Sequence, residues 1–170
     1  MQPKDWIEIL KVALTLGAAV WVYFRFARER THARRVEMTI DCTFPGLQEG
    51  KYLAEFAFQL KNKGLVAHRF STLRLRVRGI ASGQVLQSWT VQPSRVAFPE
   101  RLIDEEDVLF SKKYGHIFVE PGVEQLITFV GAIPGNMTFI LVRAEFEYTD
   151  GRTHSTERVF ATRLATQNVT

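Results

Sequence analysis

The side chains best suited to nucleophilic or metal chemistry are four histidines, His32, His68, His116 and His154, and one cysteine, Cys42. A zinc site draws three or four such ligands together at short, recurring spacings. No two of these histidines have that spacing, and the single cysteine cannot complete a site with them locally. No serine sits in a nucleophile elbow, and no glycine-rich phosphate loop precedes a helix. Cys42 with a distant histidine is the one conceivable nucleophile pair. The strand pattern below turns Cys42 inward and argues against it. The sequence therefore predicts a non-enzymatic protein with no catalytic residue, no cofactor and no metal.

The densest acidic cluster is Asp104-Glu105-Glu106-Asp107, with Glu100 nearby. A calcium loop needs alternating oxygen ligands and a turn glycine, and both are missing. A solvated loop or a helix start, where acids suit the positive end of the dipole, accounts for it. Weak cation binding is the alternative.

Arg74, Arg76 and Arg78 alternate with Leu73, Leu75 and Val77. Residues two apart on a strand share a face at roughly 6.6–7 Å, so the three guanidiniums form a row outside a sheet. One reading is a cross-strand ladder with acids such as Glu55, Glu145 or Glu147. The other is a docking stripe for an acidic partner surface or for lipid headgroups. Nucleic acid fits poorly, because no aromatic residue interleaves the arginines for base stacking.

Such a row requires strands to carry it, and the period of the chain supplies them. From Val36 to Phe44 every even-numbered residue is apolar and every odd one polar, a half-buried strand ending at Pro45-Gly46. Ala54, Phe56, Phe58 and Leu60 repeat the pattern before the turn Asn62-Lys63-Gly64, and the arginine strand is stopped by Gly79. Further strands are predicted over 84–91, 115–119, 124–131, 137–148 and 153–162, the last two joined by a hairpin at Asp150-Gly151. Pro99 to Asp107 reads as a short helix or an ordered loop. Met137 to Val142 has only Thr138 polar, so its outer face needs a cover, which Phe110, Tyr114, Ile117 and Phe118 could supply, or else forms an exposed contact strip.

About seven to nine strands with frequent turn signals predict an all-β fold, an antiparallel β-sandwich. The stretches Phe58-Gln59-Leu60-Lys61-Asn62-Lys63-Gly64 and Glu120-Pro121-Gly122-Val123-Glu124 resemble those of immunoglobulin-like sandwiches of the CARDB kind, found in bacterial surface and membrane proteins. That resemblance implies a fold and a tendency toward binding or scaffolding, and carries no site residues.

The rest of the chain concerns a membrane. Over 170 residues the net charge is +4, with 22 Lys+Arg against 18 Asp+Glu. Residues 1–24 and 36–170 are each neutral. The excess lies in 25–35, where Arg25, Arg28, Arg30, Arg34 and Arg35 face only Glu29. These follow the most apolar run, Val12 to Phe24, and a helix over 6–26 would reach roughly 31 Å. Trp6 marks one end and Trp21, Tyr23 and Phe24 the other, as in interfacial belts. Glu8 and Lys11, spaced i, i+3, can pair and reach toward the interface. A secretory signal would carry its positive charge before the apolar run. The expectation is a single-pass anchor, with an interfacial or buried helix as the alternative.

The organisation expected is a short tail (1–5), a transmembrane helix (6–26), a basic collar (27–35), an immunoglobulin-like sandwich (36–164) and a C-terminal tail (165–170). The positive-inside rule puts the N-terminus outside and the sandwich in the cytoplasm of a bacterial inner membrane. Under that topology the glycosylation patterns at Asn136 and Asn168 carry no meaning. The partners expected are the lipid bilayer and other subunits of a membrane complex, which the sandwich would serve as an accessory or scaffolding subunit. A sensor or ligand-binding module is the alternative. A reporter fused after Thr170 is expected to resist external protease in intact cells, and its cleavage would overturn this orientation.

Overall fold

The computed structural model describes residues 3–28, 35–91, 93–105 and 117–162. One helix, α1 (Pro3–Arg28), precedes eight strands among them: β1 (Val36–Gln48), β2 (Lys51–Asn62), β3 (His68–Ala81), β4 (Glu100–Glu105), β5 (Ile117–Val119), β6 (Glu124–Pro134), β7 (Met137–Tyr148) and β8 (Thr153–Ala161). Proline is tolerated in a first helical turn, where its missing N–H has no partner to lose. The stretch Trp6–Phe26 is long and apolar enough to cross a membrane, and none of it is buried against the rest of the protein. Glu8 and Lys11 are exposed and are not joined in an ion pair among the described residues.

The strands form two antiparallel sheets, one in the order β1-β2-β6 and one in the order β4-β3-β7-β8 with β5 also on β3. Alternation drives their packing. Met38 and Ile40 of β1, Phe56 and Phe58 of β2, Leu73, Leu75 and Val77 of β3, and Ile140, Val142 and Phe146 of β7 meet in one apolar core. Phe70 stacks on Phe146 and Tyr148 with ring centroids 4.9 and 5.0 Å apart. The protein is thus mostly β, with one apolar N-terminal helix.

Five sequence expectations are corrected. β1 does not end at Pro45-Gly46 but runs to Gln48 through an irregularity between Thr43 and Gly46. On an edge strand, a proline at a bulge costs no ladder bond. The chain reverses instead at Glu49-Gly50, where φ values of 50° and 73° make the two-residue hairpin between Gln48 and Lys51. Gly79 does not stop β3, which continues to Ala81. A Cβ there would lie 2.6 Å from Met137 Sδ and 2.8 Å from Leu102 Cδ1, so close packing rather than a turn accounts for that glycine.

Residues 84–91 are not a strand. They belong to a connection from β3 to β4 that makes a single bridge, Ser88 to Val96. Part of the segment read as a helix or loop, Pro99 to Asp107, is instead β4, because Leu102 and Ile103 pack against the core. β7 lies between β3 and β8. Residues of the β3–β4 connection, rather than Phe118, stand over its outward Leu141. Phe118 is exposed, Ile117 pairs with Phe70 on β3, and Phe110 and Tyr114 lie outside the described residues.

One buried polar side chain ties the two sheets together. Asn62 Nδ2 donates to the carbonyls of Val66 and Val119, both at 2.9 Å, and its Oδ1 accepts from Gly64 N at 2.9 Å. Its backbone N–H donates to Val123 O, and its carbonyl accepts from Gly122 N. A carboxamide can meet the three side-chain demands at once, and no apolar side chain can meet any of those three. Asn62→Ala is expected to lower unfolding stability by about 2–3 kcal/mol, read by urea denaturation, because two buried backbone groups and one part-buried carbonyl lose partners. An unchanged midpoint would remove Asn62 from this role.

Candidate functional site

The pairing of β3 places each arginine of the row. Arg74 lies opposite Glu145 of β7, Arg76 opposite Arg143, and Arg78 opposite Leu141. On its other side β3 pairs with β4, which sets Asp104 beside Arg76 and Arg101 beside Arg78. β8 adds Ser155, Glu157 and Val159 to the same three rows.

The three arginines have different surroundings. Arg74 sits between Glu145 at 3.6 Å and Glu147 at 3.5 Å, a cross-strand ladder. Glu55 has no part in it, since it lies on β2 in the other sheet, beside Thr43. Arg76 Nε donates to Asp104 at 3.2 Å. Arg78 forms no ion pair or hydrogen bond with any described side chain.

Arg76 and Arg78 open onto a cleft of about 370 Å³. Its floor is the outer face of the larger sheet: Arg76, Arg78, Leu141, Arg143 and Glu157. Its wall is the β3–β4 connection, through Trp89 and the run from Arg95 to Pro99. That wall is folded rather than loose. Trp89 N donates to Arg95 O and Ala97 N to Gln87 O, at 2.7 and 2.8 Å. Gln84 straps its base, accepting from Ala81 N and donating to Glu100. Arg95 spans the cleft to Glu157, and its guanidinium lies 5.3 Å over the Trp89 ring.

Four arginines against one lining carboxylate make this a positive, half-apolar concavity. Arg76 and Arg143 face each other directly in the register, an arrangement that repels. Each turns to a different acid: Arg76 to Asp104, and Arg143 to Glu145 at 3.2 Å. The chemistry on offer is recognition of an anion bearing an apolar neighbour.

The other sequence candidates are dispersed. Trp6, Trp21, Tyr23 and Phe24 are exposed on α1. Arg25 lies 5.3 Å over the Trp21 ring, Arg28 ends the helix and Arg35 is exposed just before β1. Arg30 and Arg34 fall outside the described residues, as do His32, His116, Glu106 and Asp107. His68 is buried at the start of β3, edge-on to Tyr148, whereas the sequence favoured a surface or turn position. No metal-ligating cluster occurs among the described residues. Sequence reasoning missed Trp89 and Arg95, because reading 84–91 as a strand removed the wall that makes a cleft, and Arg143 and Glu157, which join the row only through pairing across β7 and β8.

No protein-family description matches the sequence, and no curated protein matches it. Among solved structures, a structural-genomics target matches at 11% identity and a TM-score of 0.48, covering 75% of this chain and 86% of its own. A protein described as ApaA from Bordetella pertussis matches at 11% and 0.47, covering 75% and 94%. The sporulation control protein Spo0M from Bacillus subtilis matches at 14% and 0.42, covering 76% and 49%. Likeness at this level carries no argument about activity.

Cys42 is half-buried against the core, and burial, aided by the neighbouring Asp41 carboxylate, pushes its thiol from 9.0 up to about 12. Since the thiolate is the reactive form, alkylation by N-ethylmaleimide at pH 8 is expected to run about 1,000-fold slower than for an ordinary free thiol. The raised value also means that stability is fully present below pH 9 and declines as pH rises toward 12. Rapid labelling of the native protein would contradict both statements.

Proposed function

We propose that this is a single-pass membrane protein of the bacterial inner membrane, non-enzymatic, whose immunoglobulin-like sandwich docks on an acidic surface of a larger membrane complex. The observation that carries the docking reading is the arginine-lined cleft on the outer face of the larger sheet. Arg78, without an ion pair among the described residues, and the donors that Arg76 and Arg143 keep beyond their own acids suit carboxylates, and their planar forks favour bidentate recognition. The exposed apolar helix supports the anchor, and the arginine collar supports a cytoplasmic domain.

The wall of the cleft adds to this reading. Val85, Leu86 and Val91 are 82, 63 and 77% exposed on the same connection. Apolar side chains beside a charged cleft are the composition of an interface, where a greasy centre is ringed by polar groups. A sensor that takes a small anionic ligand is the second reading, favoured by the concavity itself, which lies near the lower end of the ~300–1,000 Å³ that ligand pockets occupy.

Extraction in mild detergent tests the docking function. Arg76→Gln with Arg78→Gln is expected to reduce recovery of a co-purifying membrane partner by about tenfold, as loss of interfacial charge pairs does. Both side chains face outward, so the melting temperature is expected to stay unchanged. Undiminished recovery with an intact fold would overturn the reading. Arg74 is left in place in this test, because its removal strands Glu145 and Glu147.

A further inference from the structure

We infer that the cleft takes an extended acidic peptide with carboxylates at alternate positions and apolar residues between them, an inference that rests on the docking function above. Arg76 and Arg78 stand two residues apart on one face of β3, a separation of roughly 6.6–7 Å. An extended peptide laid along β3 has the same period. Two of its acids, two residues apart, therefore meet the two guanidiniums one to one.

The remaining side chains agree with that occupant. Arg143 faces Arg76 across the strand pair, and a carboxylate entering between them replaces repulsion with two attractions. Arg76 and Arg143 each have guanidinium donors beyond those given to Asp104, Glu145 and Ser155. Arg78 has all of its donors to offer among the described residues. Trp89 and Phe98, on the wall, offer apolar surface to the residue between the acids, whose side chain points away from the floor. Glu157, next to Arg143 in the same row, is already tied to Arg95.

The test uses the full chain in a neutral detergent and a fluorescein-labelled octapeptide alternating aspartate and valine. Its comparison is an isomer of the same composition with the four aspartates in one block. The alternating peptide is expected to bind at least about fivefold more tightly than the block isomer. Arg78→Gln is expected to weaken it about tenfold, the scale of losing a charge-assisted pair. Lys61→Gln, on the other sheet, is expected to leave it unchanged.

Equal binding of the two isomers overturns the inference, since charge alone would then suffice. So does binding of phosphatidylglycerol vesicles or inorganic phosphate at this cleft in place of either peptide. If neither peptide binds while the Arg76→Gln, Arg78→Gln protein still loses its membrane partner, the docking function stands and the extended-peptide occupant falls. If the alternating peptide binds but the partner is retained by that variant, the occupant stands and the docking function falls.

Discussion

Everything on the outer surface of the larger sheet depends on the register between β3 and β7. Leu73, Leu75 and Val77 must meet Phe146, Ala144 and Val142 on the inside, because that face supplies much of the core. With a side-chain period of two, the same register fixes Arg74, Arg76 and Arg78 against Glu145, Arg143 and Leu141 on the outside. A slip of one residue would carry three guanidiniums into the core and three apolar side chains into water. The like-charge pair of Arg76 and Arg143 is therefore held by packing behind it. Hydrophobic burial on one face imposes an electrostatic arrangement on the other.

The second constraint is polar. Two sheets joined by long connections need something to fix how the ends of β2, β5 and β6 sit together. Asn62 does so with its side chain and its backbone, touching the loop to β3, the end of β5 and the turn before β6. At the opposite edge Arg158 of β8 donates to Ile40 O of β1 at 3.2 Å, linking the sheets a second time. These contacts hold the framework on which the β3–β4 connection is draped. A wall of that kind can form a defined cleft only over a floor that does not shift.

Most strands were legible because burial of one face writes a period of two into the sequence, and β1, β2, β3 and β7 all carry it. The stretches that include Asn62 and Gly122 meet in space, a contact that neither stretch shows by itself. What stayed hidden depends on partners far away in sequence. Gly79 looks like a breaker until Met137 and Leu102 are placed over it. Val85 and Val91 are β-formers by type, yet they stand exposed with Leu86 on a connection that local propensity cannot foresee. Arg143 and Glu157 join the arginine row only through pairing across β7 and β8. The cleft is a product of topology, and no window of the sequence contains it.

Net charge and local field separate in this protein, and the separation bears on function. The net +4 lies beside the apolar helix, while residues 36–170 are neutral. A neutral domain has no long-range pull on a polyanion, since opposite charges cancel beyond about 10 Å at 0.1 M salt. Within the cleft the balance is different, because four arginines face one lining carboxylate over a partly apolar floor. These guanidiniums are exposed, and their crowding beside apolar side chains makes the field positive at contact range although the domain is neutral. Such a surface discriminates at contact without attracting from a distance. Were the domain anchored and docked as proposed, the tether would confine it near its partners and leave specificity at contact as the property to be supplied.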